Sequence, residues 1–148
     1  HRNMIKKMKI KRLLLCLVMV SCTIALSAAN KRKTIYMFGF ATSFNDSTVY
    51  FTEVQQVDSA YIDSKTKFLY SRNSYSYQLR DYLEQTGFPN ATCVTSFAFT
   101  RKEAEKKYLT LRKRYLEGAK FNIKYLKLSD FKYSAIAPTE QYTNENGR

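Results

Sequence analysis

The segment from Thr100 to Gly118 constrains the fold more than any other, because both ends of a helix are written into it. Thr100-Arg101-Lys102-Glu103 is a capping box, in which the threonine hydroxyl accepts the amide three residues on and Glu103 reaches back to the Thr100 amide. Gly118 supplies the stop. Within the predicted helix, residues 101–117, the side chains of Ala104, Tyr108, Leu111 and Tyr115 fall within roughly 60° of one another. So narrow an apolar stripe must be covered by a sheet or a second helix. Glu103–Lys107 and Lys113–Glu117 are spaced for exposed ion pairs.

Strand signals surround that helix. Thr34 to Thr42 is rich in aromatic and β-branched residues, Asn45-Asp46-Ser47 offers turn chemistry, and Thr48 to Val57 reads as one returning strand of a hairpin. Asp58 to Asn73 shows no clear period and holds only the apolar anchor Phe68-Leu69-Tyr70. A first helix is expected to open near Ser74 or Ser76 and to run through Gln85, with Leu79, Tyr82 and Leu83 on one face. Gly87 then caps it and Pro89 blocks continuation. Thr92 to Phe99 and Asn122 to Leu128 complete the order β-β-α-β-α-β. The simplest arrangement is an α+β two-layer sandwich, a four-stranded sheet with both helices on one face.

The first 29 residues stand apart from this domain. His1-Arg2-Asn3 precede Met4 as read-through, and Lys6, Lys7, Lys9, Lys11 and Arg12 form a positive region ahead of the uncharged run Leu13 to Leu26. Ser27-Ala28-Ala29 offers small residues for cleavage, so the leader reads as a secretory signal peptide, its apolar run short for a membrane span. The expected product is exported, periplasmic or secreted, with no transmembrane segment once the leader is removed. The alternative is a lipoprotein anchored through Cys22, since Met19-Val20-Ser21-Cys22 loosely follows a lipobox. Residues 30–134 are read as a single domain and residues 135–148 as a disordered tail.

Removing the six basic leader residues from a net +13 leaves about +7 on the rest. That balance favours an anionic envelope component or another protein as partner. No nucleic-acid partner is expected, because no RNP-type aromatic strand is present. Cys93 is the one cysteine outside the leader, so the domain rests on its apolar core rather than on an internal disulfide. The only histidine is His1, which removes the usual general base and the usual transition-metal ligand. No phosphate-binding glycine loop and no nucleophile elbow occur. The sequence therefore names no catalytic residue, no metal ligand and no cofactor.

Two surfaces remain as candidates. Arg72, Tyr75, Tyr77 and Arg80 crowd the first helix, where tyrosines beside arginines can stack on a ligand or partner. Lys102, Lys106 and Lys113 project within about 40° of one another opposite the core stripe of the second helix, forming an anion-binding face.

Tyr36-Met37-Phe38-Gly39-Phe40, Asp46 to Thr52, Tyr75 to Tyr82 and Arg101 to Tyr108 together resemble a group of small exported proteins of Bacteroides and Prevotella relatives. The resemblance spans residues 34–133. It implies export but no defined activity, and some members bear a Rid-type enamine deaminase label. That label would imply an arginine in the C-terminal strand motif to hold a substrate carboxylate. Lys124 to Tyr133 contains lysines and no arginine, so no catalytic residue carries over. Asp58-Ser59-Ala60 matches the short O-glycosylation pattern of that phylum. A peptidoglycan-binding repeat of the sporulation type would run β-α-β-β-α-β, which this order does not match.

Overall fold

The computed structural model describes residues 30–138, so residues 1–29, where the leader is expected, and residues 139–148 lie outside it. Seven elements follow: β1 (Asn30–Ser43), β2 (Asp46–Thr52), β3 (Gln55–Asp63), α1 (Arg72–Gln85), β4 (Thr92–Ala98), α2 (Arg101–Leu116) and β5 (Asn122–Leu126). The class is mixed α+β, with two helices and a five-stranded sheet among the described residues.

β1 has three antiparallel partners, although a strand has only two edges. Tyr36 pairs with Gln56 and Ala98, and Phe40 pairs with Phe51 and Val94. β4 thus occupies one edge, while β2 and β3 follow each other along the opposite one. β5 then adds in parallel to β2, with Val49 beside Ile123 and Phe51 beside Tyr125.

Four strands were expected, and five are found. Thr48 to Val57, read as one strand, breaks at Glu53-Val54 and resumes through Asp63, giving the order β-β-β-α-β-α-β. Beyond the irregularity at the hairpin end, between Thr42 and Ser43, the break is one of two places where the line of β2 and β3 carries an extra residue against β1. The register sum changes between Phe40–Phe51 and Met37–Gln55, and again near Ser59, whose φ is +60°. Each extra residue shifts the inward face by one position. Thr52, Gln55, Val57, Ala60 and Ile62 are accordingly all buried, although no period of two joins them.

The bulge at Glu53-Val54 leaves the Gly39 amide opposite no strand carbonyl, and the Thr52 hydroxyl accepts it at 2.8 Å. Thr52 is buried, so Thr52→Val is expected to strand that amide and cost about 1–3 kcal/mol. Urea denaturation measures it, and unchanged stability would count against the bond.

The helices do not share a face, which corrects the two-layer sandwich. Leu79 of α1 approaches Gly39, and Leu79, Leu83 and Tyr75 join Ile35, Met37 and Ala41 in one core. On the other side Phe38 meets Tyr108 of α2 edge-on at 5.4 Å, and Phe40 meets Tyr115 at 5.5 Å. Alternate residues of β1 therefore serve different helices. The connections explain why. β3-α1-β4 crosses the sheet in one direction and β4-α2-β5 crosses back, so two crossovers of the same hand place their helices on opposite faces. The result is three layers.

The α1 side is closed by the chain after β5. Buried Gln55 donates through Nε2 to the Phe131 carbonyl at 2.9 Å and accepts the Tyr133 amide at 2.8 Å. Gln78 makes the same pair of bonds to Ser134, both at 2.9 Å, and the Ile136 amide donates to the Tyr75 hydroxyl at 3.0 Å. Two glutamine amides stand in for a neighbouring strand. Of the tail expected from residue 135, Ile136 is held by its bond to Tyr75, and residues 139–148 lie outside the described part.

Candidate functional site: the open strip beside the second helix

The four aromatic and arginine candidates on α1 do not form one surface. Tyr75 is fully buried, edge-on to Tyr133 at 6.1 Å, and burial raises the pKa of its phenol. Its place on the stripe with Leu79 and Leu83 was present in the sequence and pointed inward. Tyr77 is half exposed, with the Arg80 guanidinium 4.5 Å over its ring, and Arg80 lies 3.9 Å from Asp81. Arg72 leaves α1 altogether: its Nε and Nη2 both donate to the Thr95 carbonyl, at 3.0 and 2.7 Å.

On α2 the capping threonine accepts the Glu103 amide at 3.2 Å, as the sequence predicts. Lys102, Lys106 and Lys113 are exposed, and Lys113 pairs loosely with Glu117 at 4.0 Å. Lys107 does not pair with Glu103. Its ammonium donates to the Phe97 carbonyl at 3.0 Å. Arg72 and Lys107 thus reach the same strand, β4, from helices on opposite faces. The carbonyls of Thr95 and Phe97 face outward from an edge strand, and a cation covers each, a common way to block pairing by another chain.

Because α2 is one helix over a four-strand-wide sheet, it leaves strips of sheet open on both sides. The groove towards β2 and β3 encloses about 470 Å³ and includes Glu53, Glu105 and Arg101. The groove towards β4 encloses about 460 Å³. Phe38, Phe40 and Val94 lie along it, and Val94 is 44% exposed. Four cations, Arg72, Lys106, Lys107 and Arg114, also line it, and no carboxylate does. Among the described residues none of the four is in an ion pair. Only Lys106 was singled out by spacing alone. Arg72 was a candidate as part of the α1 surface, and Lys107 and Arg114 were not; what joins the four is nearness to β4, which no helical wheel contains.

The end of the sheet beside the α2 C-terminus is apolar and basic together. Ser43 pairs with Asp46 and Thr48 with Asn122, so the hairpin tip, Phe44, and the residue before β5, Phe121, lie at the same end. Phe44 is 99% exposed, and Leu116 and Phe121 are also exposed. Lys113, Lys120 and Lys124 belong to the same end by position in the chain.

Cys93 sits half-buried on β4, and burial pushes its thiol up to about 11. Peptide-resolved alkylation by iodoacetamide at pH 8 is expected to be much slower at Cys93 in the folded chain than in the denatured one, since the thiolate is the nucleophile. Equal rates would place the thiol in an exposed, activated setting. Among the described residues no group of three His, Cys, Asp or Glu side chains is placed to hold a metal, and no helix is long and apolar enough to cross a membrane. Comparison with protein-family models, curated proteins and solved structures finds no match.

Proposed function

We propose that this chain is an exported, envelope-associated binding module whose α2 side engages an anionic component. The observation that carries it is the exposed α2 lysines joined to an apolar end bearing Phe44, Leu116 and Phe121. Apolar side chains ringed by lysines suit the surface of an anionic lipid bilayer, where each basic residue near the surface contributes about 1 kcal/mol. Tyr75 takes no part, being committed to the interior, and Arg72 is held against β4, away from the apolar end.

The test is co-sedimentation of the full chain with vesicles containing or lacking anionic lipid, beside the Lys102→Gln/Lys106→Gln/Lys113→Gln variant. The leader is common to both chains, so the difference reports α2. Retention on anionic vesicles is expected to drop at least tenfold in the variant and to weaken with salt, since charges beyond about 8–10 Å are screened at physiological ionic strength. Stability is expected to change by about 0.5 kcal/mol or less, as for other exposed charges. Salt-insensitive retention, or equal retention by the variant, would overturn the electrostatic reading.

A further inference from the structure

We infer that the groove between α2 and β4 is a binding site for a linear acyl monocarboxylate, its head held between Arg72 and Lys107. The inference rests on the α2 side being a binding face, and it concerns a part of that face separate from the apolar end.

The head-group site is built rather than incidental. Arg72 and Lys107 are fixed by backbone carbonyls two residues apart on β4, a spacing of roughly 6.5 Å along a strand. Two flexible cations are thereby anchored before any ligand arrives, which lowers the entropy cost of binding. The Arg72 bonds use Nε and Nη2, so Nη1 remains to donate. Both residues also line a smaller adjoining depression of about 320 Å³ that contains Glu103. One acidic neighbour beside two cations suits a single negative charge better than the double charge of a phosphate monoester.

The body of the ligand is set by the floor. From Lys106 to Arg114 the groove follows about 12 Å of helix. Over that length it presents Val94, Phe38 and Phe40 from the sheet and Leu111 from α2. Each methylene laid there leaves water and adds to affinity, less so in an open groove than at full burial. An added β-strand is not the occupant, because Arg72 and Lys107 occupy the outward carbonyls that such a strand would need.

The test uses the full chain with dodecanoate below its micelle concentration, read by amide shift changes in two-dimensional NMR. Saturable shifts are expected at Val94, Ser96 and Thr110. Acetate is expected to bind at least a hundredfold more weakly and methyl dodecanoate at least tenfold more weakly. Val94→Glu and, separately, Thr110→Phe, both at exposed positions, should each lower affinity at least tenfold with the shift dispersion of a folded chain retained. Equal binding of the methyl ester, tighter binding of dodecyl phosphate, or shifts confined to other surfaces would overturn the assignment. Lys102→Gln/Lys113→Gln alters neither the head-group pair nor the floor. It should weaken vesicle retention while leaving dodecanoate affinity within twofold, so the groove and the vesicle surface can fail independently.

Discussion

Gly39→Ala is expected to lower the melting temperature by about 10–20 °C, the equivalent of about 3 kcal/mol in a domain of this size. β1 runs beneath α1 at this point, and a Cβ on residue 39 would collide with the Tyr133 hydroxyl and stand 2.8 Å from Leu79 Cδ2. Leu79 is wholly buried and Tyr133 is pinned through its amide to Gln55, so neither has room to retreat. The Tyr133 hydroxyl gives the prediction a second arm. It is buried without a partner in hydrogen-bonding geometry, although the Thr95 hydroxyl, bonded to Ser76 at 2.9 Å, is a neighbour. Thr95 tempers its pKa slightly, but burial dominates and drives that pKa far above the usual phenol value. Tyr133→Phe alone should therefore be close to neutral, and in the double variant it should restore a large part of the loss. Additive effects in the double-mutant cycle, measured by thermal denaturation, would show that the collision is not with that hydroxyl.

Gln55→Ala should cost about as much, about 3 kcal/mol or more, because it removes two bonds and leaves the Phe131 carbonyl and Tyr133 amide unpaired in the core. Gln55→Glu separates the hydrogen bonds from the volume. The shape is kept, but the donor to Phe131 survives only while the new carboxyl is protonated. Burial favours that neutral form, so the folded pKa of the introduced group lies above its unfolded value of about 4.3. The variant should approach the parent below that value and lose stability as pH rises through it. Chemical denaturation at pH 3.5 and pH 7 measures the change. A pH-independent deficit would mean that the amide is replaceable and only its volume matters.

The elements that were readable in the sequence are those whose signals are local. Thr100 and the Ala104–Tyr115 stripe place α2 to within one residue, because a cap and a helical period need no distant partner. α1 starts at Arg72, two residues before the expected serine, since Ser71 takes the cap position in a left-handed conformation without a side-chain bond to the helix amides. β3 was illegible for a different reason. Two bulges reset its inward face and so erase the alternation by which a half-buried strand is read. The helix faces were missed because handedness acts between elements. The same holds for the candidate site: Lys106 lies on a helical row, but Arg72, Lys107 and Arg114 become neighbours only across β4.

The glutamine latch has a consequence for how the chain comes into being. Gln55 is synthesised early and its partners, Phe131 and Tyr133, some 76–78 residues later. A chain emerging from its N-terminus can pair β1 with β2 and β3 and lay α1 against them, yet that side stays unsealed until the segment after β5 arrives. The N-terminal half therefore cannot close this side by itself: between the appearance of α1 and that of Tyr133, the face of the sheet beneath α1 is incompletely packed.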